Sequence, residues 1–345
     1  MVPVEWPIAA TDEGDGRDPA RRAGRGRLRT ARTDFFLDPR SRLTEQERAL
    51  MTGMLADLVN SVADEFRTAL GAYEPANDEG EQLFDRLRSA GLLDIPDLVA
   101  LLLRHAEEEH ISAGIRAARG GAKLRFLQSL VSDEDLEVSA AAMALILAIG
   151  RRRDRFGGPR VAFDDISAEA ATALVNAIAA GLREGLLKRL TSAEADEKLV
   201  GAVRTVLAQH DESNRLEARL FDLVHALDRG GRVGEALIRS ALEEGEVALL
   251  VELLGRSAGI GFDSTWEYFA GEAGNLALLL RMSNFSRTLA GEVVARVADV
   301  VGSDAETEIV AFDALTDEQV DTARKWLRLD PTYRIAIEKM GRGNG

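Results

Sequence analysis

Cysteine is absent from the 345 residues of this sequence, and histidine occurs only four times. Without cysteine the chain can form no disulfide, no thiolate nucleophile, no Cys-ligated zinc site and no iron–sulfur cluster. No apolar run reaches the roughly 20 residues that span a bilayer. These absences exclude most nucleophilic and metal chemistry. We therefore expect no membrane partner, no metal and no other cofactor.

Acidic residues outnumber basic ones, 58 against 43, and the net charge is −15. A protein that coats nucleic acid needs clustered cations to neutralise phosphates, so nucleic-acid binding by the body of the chain is not expected. Hydrophobic residues make up 46% of the chain and charged residues 29%, which is a globular composition. The first residues lack the order of a signal peptide, so we expect a cytoplasmic protein.

Residues 1–33 are rich in arginine, glycine and proline and contain little that could be buried. Such a segment cannot offset the entropy lost on ordering, so the composition predicts a disordered tail. Its arginines favour either a solvated arm or an arm that touches a polyanion or an acidic partner. The arginines of this tail are Arg17, Arg21, Arg22, Arg25, Arg27, Arg29 and Arg32.

Helix signals run through the rest of the chain. Thr44 and Glu47 form a capping box ahead of apolar residues spaced by three and four, which predicts a helix over 44–70. Pro96 stands at a first helical position and predicts a second helix over 97–119. Short alternating runs of β-branched and aromatic residues are missing, so no strand is expected.

The chain is thus predicted to be all-α, with an N-terminal helical domain at 34–190 and a C-terminal helical repeat domain at 191–345. A helix opened by Ser132 is expected to extend to the break at Gly157. Further helices are predicted over 166–188, 192–209, 212–228, 232–244, 246–257, 263–271, 275–282, 286–301 and 316–328.

One internal repeat is visible. The segment Gly-Glu-Val-Ala-Leu-Leu-Val at 245–251 aligns with Gly-Asn-Leu-Ala-Leu-Leu-Leu at 274–280. A helix pair repeated at such a period suggests stacked antiparallel helix pairs, as in a HEAT-like or irregular α-solenoid. An irregular helical bundle is the alternative.

The segment His105–His110, His-Ala-Glu-Glu-Glu-His, resembles a metal site most closely. A zincin-type motif needs two histidines four residues apart on one helix face. Here the spacing is five, which turns the second imidazole by about 140° around the helix. We interpret the segment as a charged helical stretch. His105 and His110 stay weak phosphoacceptor candidates, because no glycine-rich phosphate loop accompanies them.

A cluster of arginines lies at the C-terminal end of the helix predicted over 132–157. Five guanidinium groups exceed what the helix dipole requires, so the cluster suggests a site for phosphate or an acidic partner. Two tryptophans could lock helix pairs in the core or form exposed contacts for a partner. The candidate partner-binding residues are Arg151, Arg152, Arg153, Arg155, Arg160, Trp266 and Trp326. No catalytic, cofactor-binding or metal-binding residue is predicted.

Several segments resemble one bacterial family. These are Thr33–Pro39 (Thr-Asp-Phe-Phe-Leu-Asp-Pro), Arg42–Met51, Leu276–Arg287, Phe312–Thr316 and Trp326–Tyr333. On these segments the chain resembles the domain of unknown function 2336 family, from about residue 33 to 340. The resemblance implies a mainly helical fold, HEAT-like in places. It implies no assigned activity and supplies no catalytic residues.

These features predict a non-catalytic cytoplasmic scaffold or adaptor that binds another protein through a groove between helix hairpins. One alternative is a bacterial signalling or regulatory module, acting as a phosphoacceptor or an anion sensor. Another is polyanion binding through the arginine-rich tail. Apolar residues on an outer helix face would indicate a homodimer.

Overall fold

The computed structural model describes residues 43–71, 79–118 and 126–342. Within these ranges there are 16 α-helices, two single-turn 3-10 helices at Phe163–Asp165 and Glu212–Asn214, and no β-strand. The all-α prediction is confirmed, whereas the predicted tail at 1–33 lies outside the described residues. The helices are α1 (Glu45–Leu70), α2 (Glu79–Ser89), α3 (Pro96–Ala118), α4 (Phe126–Val131), α5 (Leu136–Arg151), α6 (Ala168–Leu187), α7 (Ser192–Leu207), α8 (Leu216–Arg229), α9 (Glu235–Glu244), α10 (Val247–Ala258), α11 (Phe262–Phe269), α12 (Asn275–Met282), α13 (Arg287–Val297), α14 (Ala305–Ala314), α15 (Asp317–Leu327) and α16 (Pro331–Arg342).

From Glu45 onward the described residues form the larger of two compact units. The larger unit contains two hydrophobic cores. The first core is built by α1, α2, the first half of α3, α6 and α7, and the second by the rest of α3, α4, α5 and α8 to α15. The cores are interleaved along the chain, since α4 and α5 precede α6 and α7. The domain division at residue 190 stays a prediction.

Helix α3 contributes to both cores. Its N-terminal half buries Leu98 and Leu102 in the first core, and its C-terminal half buries Ile111 and Ile115 in the second. The helix has 23 residues, which at about 1.5 Å per residue gives a rod about 35 Å long. The turns between its two apolar halves hold the charged run 104–109, which therefore lies where the cores meet.

Helix α6, with 20 residues, is the one described helix that is long and apolar enough to cross a membrane by composition. It packs against α1, α2 and α7. Leu174, Ile178 and Leu182 are buried in these contacts. This is the position of a core helix in a globular fold.

Helices α10 and α12 begin at the two copies of the sequence repeat. Each follows a glycine in the left-handed conformation that glycine adopts without strain: φ is 68° at Gly245 and 88° at Gly274. The two helices lie side by side, and the Ser283 hydroxyl donates to the Leu254 carbonyl at 3.2 Å. The repeat therefore corresponds to two adjacent helix pairs, α10–α11 and α12–α13.

Carboxylates from distant helices cap several helix N-termini. The buried Glu308 of α14 accepts the backbone N–H groups of Gly274 at 2.7 Å and Ala277 at 2.8 Å, at the start of α12. Asp165 accepts the N–H of Leu216, the first residue of α8, at 3.1 Å. A negative charge there satisfies unpaired N–H groups and is favoured by the helix dipole. Part of the acidic excess thus positions helices.

Candidate functional site

A buried ion-pair network lies where the two cores meet, and Arg152, directly after α5, is at its centre. Arg152 is only 9% exposed. Its Nε donates to Asp165 Oδ2 at 2.8 Å, its Nη2 to Glu217 Oε1 at 3.3 Å and its Nη1 to Glu108 Oε2 at 3.5 Å. Three carboxylates from separate parts of the chain thus share one guanidinium, whose five donors lie in a fixed plane.

The network reaches the surface through Arg104 of α3. The Arg104 Nη2 donates to Glu217 Oε1 at 2.6 Å, and its Nη1 donates to Asp263 Oδ1 at 2.8 Å. The same guanidinium lies 5.5 Å from the centroid of the Phe262 ring, within cation–π range. The Asp263 side chain is 84% exposed, so the network extends from the core boundary to solvent.

Burial and the neighbouring charges shift the pKa values of the network residues. Burial lowers the pKa of Arg152, but Asp165, Glu217 and Glu108 raise this pKa by more, and the group stays a cation. Burial raises the pKa of Glu217, but Arg152 and Arg104 outweigh it and bring that pKa below its ordinary value. At Glu108 burial dominates and the pKa is raised. The arginine is tolerated at this depth because carboxylates face it.

A cavity of about 130 Å³ adjoins the network. The Arg153 Nη2 lies 2.7 Å from Glu109 Oε2, and the Arg116 Nη2 lies 3.7 Å from the other oxygen of that carboxylate. Burial raises the pKa of Glu246 to about 7. The charged residues that line the cavity are Glu108, Glu109, Arg116, Arg152, Arg153, Arg160 and Glu246. Charged and apolar side chains both line the cavity, and glutamates pair with three of its four arginines.

The two candidate phosphoacceptor histidines occupy different environments. His105 is buried, and burial, followed by the charges of Arg152 and Arg104, lowers its pKa well below the ordinary value. Its Nε2 has no hydrogen-bond partner among the described residues. His110 is exposed. In the described part of the chain no group of three or more His, Asp or Glu residues could hold a metal ion.

The structure separates the five arginines that are clustered in the sequence. Arg152 and Arg153 are paired with carboxylates of the network and the cavity. Arg160 is half-buried at the cavity wall, and its Nε has no hydrogen-bond partner in the described ranges. Arg151 and Arg155 are exposed. The cluster therefore does not form one patch, and its role in partner binding stays a prediction.

A tight loop after α5 presents an aromatic ring to solvent. The Asp154 carboxylate holds the loop by accepting the backbone N–H of Phe156 at 2.8 Å and that of Gly158 at 2.7 Å. Phe156 is 81% exposed, and the Arg155 guanidinium lies 4.7 Å from the centroid of its ring. A fixed loop with an exposed aromatic ring and an arginine has the composition of an interface hot spot.

A larger cleft opens where the network reaches the surface, and we name it the α8–α11 cleft. Its volume is about 650 Å³. The start of α8, the turn between α10 and α11, and the residues at the end of α15 form its walls. Ile260, Phe262 and Leu329 supply apolar surface inside it. Arg104 forms part of the lining, so the ion-pair network ends in this cleft.

Two arginines of the cleft form no ion pair with another described residue, although the charge of Arg215 helps to lower the pKa of Glu217. The Nε of Arg215 has no hydrogen-bond partner among the described residues, and Arg328 donates through its Nε to the Gly259 carbonyl at 3.1 Å. Both side chains line the cleft. Because a guanidinium offers five donors, each retains several for a bound acidic group.

The carboxylates of the cleft are, in contrast, engaged. Asp263 pairs with Arg104. Glu212 accepts the backbone N–H of the first residue of α6 at 2.6 Å. Asp330 accepts a backbone N–H near the start of α16 at 2.9 Å. These acids hold the walls of the cleft in place.

The two candidate tryptophans lie behind the surface or only partly at it. Trp266 is buried, and its Nε1 donates to Glu107 Oε2 at 3.1 Å. Its ring stacks on Phe262 with centroids 6.4 Å apart, so it supports the floor of the cleft. Trp326 is half-buried and packs against the second core. Direct partner contacts by either tryptophan stay a prediction.

Sequence analysis did not single out Arg104, Glu217 or Arg215. The pairs are far apart in the chain: Arg104 and Glu217 are separated by 113 positions, and Arg104 and Asp263 by 159. One local signal existed, because Arg104 follows the buried Leu101 by three residues and so falls on the apolar stripe of α3. A charge on such a stripe indicates a buried partner of opposite sign.

One family profile matches residues 117–325, which is more than half of the chain. The family is described as uncharacterised protein conserved in bacteria, DUF2336. The chain belongs to this family, as the resemblance of its segments indicated. The match extends from the end of α3 through α14 and most of α15, and so includes Arg152, Glu217 and Arg215. Neither the curated proteins nor the solved structures give a significant match.

Proposed function

We propose that this member of the DUF2336 family is a non-catalytic cytoplasmic adaptor that binds a segment of another protein in the α8–α11 cleft. One observation carries the proposal. The cleft combines apolar surface with two guanidinium groups, Arg215 and Arg328, that form no ion pair with another described residue. Apolar anchors together with arginines are typical of surfaces that recognise peptide segments.

The chemistry of the cleft defines the segment. A volume of about 650 Å³ falls in the range of about 300–1,000 Å³ found for binding sites. Arginine binds carboxylates through paired hydrogen bonds, so we expect acidic side chains opposite Arg215 and Arg328. An apolar side chain between them would pack on Phe262 and Leu329. The expected partner is therefore a short acidic segment with an apolar anchor.

The floor of the cleft is held in position before any partner binds. Phe262 lies between the Arg104 guanidinium, 5.5 Å from its centroid, and the Trp266 ring, 6.4 Å away. Arg104 is in turn fixed by Glu217 and Asp263. A ring that is already ordered loses little conformational entropy on binding, which favours affinity. The ion-pair network thus has a role in recognition although it contacts no partner.

A finer form of the proposal is that the helix pairs of the second core are HEAT-like repeats. The adjacent pairs α10–α11 and α12–α13, which begin at equivalent glycines, support it. Stacked helix pairs provide extended surfaces suited to protein partners. A cytoplasmic location accords with a chain that contains no cysteine.

Site-specific photo-crosslinking tests the proposal. A photoreactive amino acid placed at Leu329 in the cleft is compared with the same probe at Val200, an exposed apolar position on α7. Each protein is illuminated in living cells of the source bacterium. We expect the Leu329 probe to yield a discrete crosslinked protein that the Val200 probe does not yield.

A charge variant makes the test specific. The Arg215→Gln, Arg328→Gln double variant should reduce the Leu329 product about tenfold or more, because two charge-assisted contacts are lost. Arg204→Gln, at an exposed arginine of α7, should leave it unchanged. Identical products from the Leu329 and Val200 probes, or a product unaffected by the double variant, would reject the cleft as the binding site.

The regulatory alternative is favoured by one feature, the Arg160 Nε that has no partner among the described residues at the cavity wall. In this alternative a small anion such as phosphate binds in the cavity. It predicts a phosphate-dependent rise in Tm that Arg160→Gln abolishes. A Tm that phosphate does not change would eliminate it. A phosphoacceptor version would use His110, because His105 is buried.

A further inference from the structure

Helix α5 exposes apolar side chains along its outer side. Leu136 is 84% exposed, Met143 45% and Leu147 60%, and Ala140 is exposed between them. We name these four residues the α5 face. Large apolar side chains at this spacing normally mark the side of a helix that is buried against another element.

The opposite side of α5 already packs inside the protein. Val138, Ala142, Leu145 and Ala148 are buried in the second core. No charged residue occurs between Glu137 and Arg151, so the helix is apolar all round. A helix of this kind is expected to be covered on both sides.

The α5 face is symmetric about one point. Leu136 and Leu147 lie at equal distances from the midpoint between residues 141 and 142, and so do Ala140 and Met143. In an antiparallel pair of α5 helices with a two-fold axis at this midpoint, each leucine meets the other leucine and each Met143 meets Ala140. Such self-complementarity is the property of an isologous interface. We propose that the α5 face binds the α5 face of a second copy of this chain.

The charges at the two ends of α5 support a second copy. At the N-terminal end the acidic residues are Asp133, Glu134, Asp135 and Glu137, and at the C-terminal end the exposed basic residues are Arg151 and Arg155. Antiparallel packing brings each acidic end against the basic end of the other copy. Neither Glu134 nor Arg151 forms an ion pair with another described residue, so both are unpaired before association.

Helix α8 lies beside α5. It packs against α5 in the antiparallel direction, with Arg229 paired to Glu137 at one end and Arg151 bonded to Asn214 at the other. The α5 helix is about 24 Å long at about 1.5 Å per residue. A helix pair of that length makes a small interface, so we expect a Kd of about 10–100 µM.

The oligomeric state of the full chain tests the proposal. Sedimentation velocity from about 5 to 300 µM should show a monomer–dimer equilibrium in this range. Leu147→Glu should weaken dimerisation at least tenfold, because the new carboxylate faces Leu136 of the other copy. Val310→Glu is the matched control, since Val310 is 62% exposed on α14 and Leu147 is 60% exposed. A monomer at all concentrations, or equal effects of both substitutions, would reject the proposal.

Charge exchange tests the antiparallel register. Glu134→Arg and Arg151→Glu should each weaken the dimer, and the double variant should restore it, because each new arginine meets a new glutamate. A helix of a different protein on the α5 face predicts a monomeric chain and no restoration. Because the chain has no cysteine, single Leu136→Cys and Leu147→Cys variants can also be mixed. Disulfides should form between the two variants and not within either one, and self-linked Leu136→Cys would overturn the register.

Discussion

Replacement of Arg152 by methionine is the most direct test of the ion-pair network. The substitution keeps a long side chain but removes the cation that faces Asp165, Glu217 and Glu108. Glu217 retains Arg104. Asp165, whose side chain is 3% exposed, loses its ion-pair partner while it remains in the core. Arg152→Met therefore leaves a buried carboxylate without a cation partner, which lowers stability more than the loss of a surface ion pair does.

The expected cost depends on pH. Removal of one member of a buried ion pair costs about 3–5 kcal/mol. The loss of stability has an upper limit, because a carboxyl group without a cation partner can bind a proton instead. Binding that proton costs about 1.4 kcal/mol for each pH unit above an ordinary carboxyl pKa near 4. The limit is about 5 kcal/mol at pH 7.5 and about 1.4 kcal/mol at pH 5. The variant should be strongly destabilised at pH 7.5 and much less so at pH 5.

Urea unfolding at the two pH values measures the difference. Arg204→Met is the matched control, because Arg204 is exposed on α7 and should change the free energy of unfolding by less than about 0.5 kcal/mol. Comparison with the wild-type chain at each pH removes the general effect of acid. If Arg152→Met lowered stability equally at pH 5 and pH 7.5, or no more than Arg204→Met, the carboxylates would not depend on Arg152 and the account would be wrong.

Removing the charge of two further carboxylates should change stability in opposite directions. Burial raises the pKa of Glu252 to about 7, so the folded state holds this proton more tightly and wild-type stability falls as pH rises from about 4.5 to about 7. In urea unfolding, Glu252→Gln should be more stable than the wild type by about 2–3 kcal/mol at pH 8 and equally stable near pH 4.5. The control is Glu267→Gln, at an exposed position. If Glu252→Gln gained no stability relative to this control, the prediction would be contradicted. Glu308→Gln removes the charge that caps α12. It should lower the free energy of unfolding by about 2–4 kcal/mol, as measured by thermal unfolding. A loss no greater than that of Glu306→Gln, at an exposed position, would contradict the capping role.

Helices with strong local signals were predicted well. The capping box at Thr44 and the apolar stripe that follows predicted 44–70, and α1 runs from Glu45 to Leu70. The range 275–282 matches α12. The helix predicted from Ser132 to Gly157 was wrong at both ends. Asp135, not Ser132, caps α5. The helix ends at Arg151, because the end depends on distant groups: the next residue, Arg152, pairs with carboxylates from elsewhere in the chain.

Four helices were not predicted at all, and two of them, α4 and α14, have a weak local signal. Helix α4 has only six residues, and α14 has apolar residues without helical periodicity. The N-terminus of α4 shows how a tertiary contact compensates. The first N–H of α4 is accepted by Glu244 of α9 at 2.8 Å, a contact that no local pattern contains. Helices α2 and α16 were the other two.

The candidate site was only partly predictable, for the same reason. The sequence marked Arg152 and Arg153 as members of a basic cluster and did not show that they are paired with acids of α3 and α8. The spacing of His105 and His110 correctly excluded a shared helix face, and the structure buries one and exposes the other. The α8–α11 cleft could not be predicted, because its walls come from chain segments that only the tertiary fold brings together.

The position of the network suggests why buried charges are present at all. A buried ion pair adds little net stability compared with apolar side chains of the same size. It does, however, accept only one arrangement of donors and acceptors, and here Arg152 and Arg104 connect α3, α8 and the turn before α6. Since α3 contributes to both cores, any slip between them would leave these charges unpaired. We infer that the network fixes the register of the two cores and, through Arg104, the floor of the α8–α11 cleft, so that the proposed partner would meet a site whose geometry is set before binding.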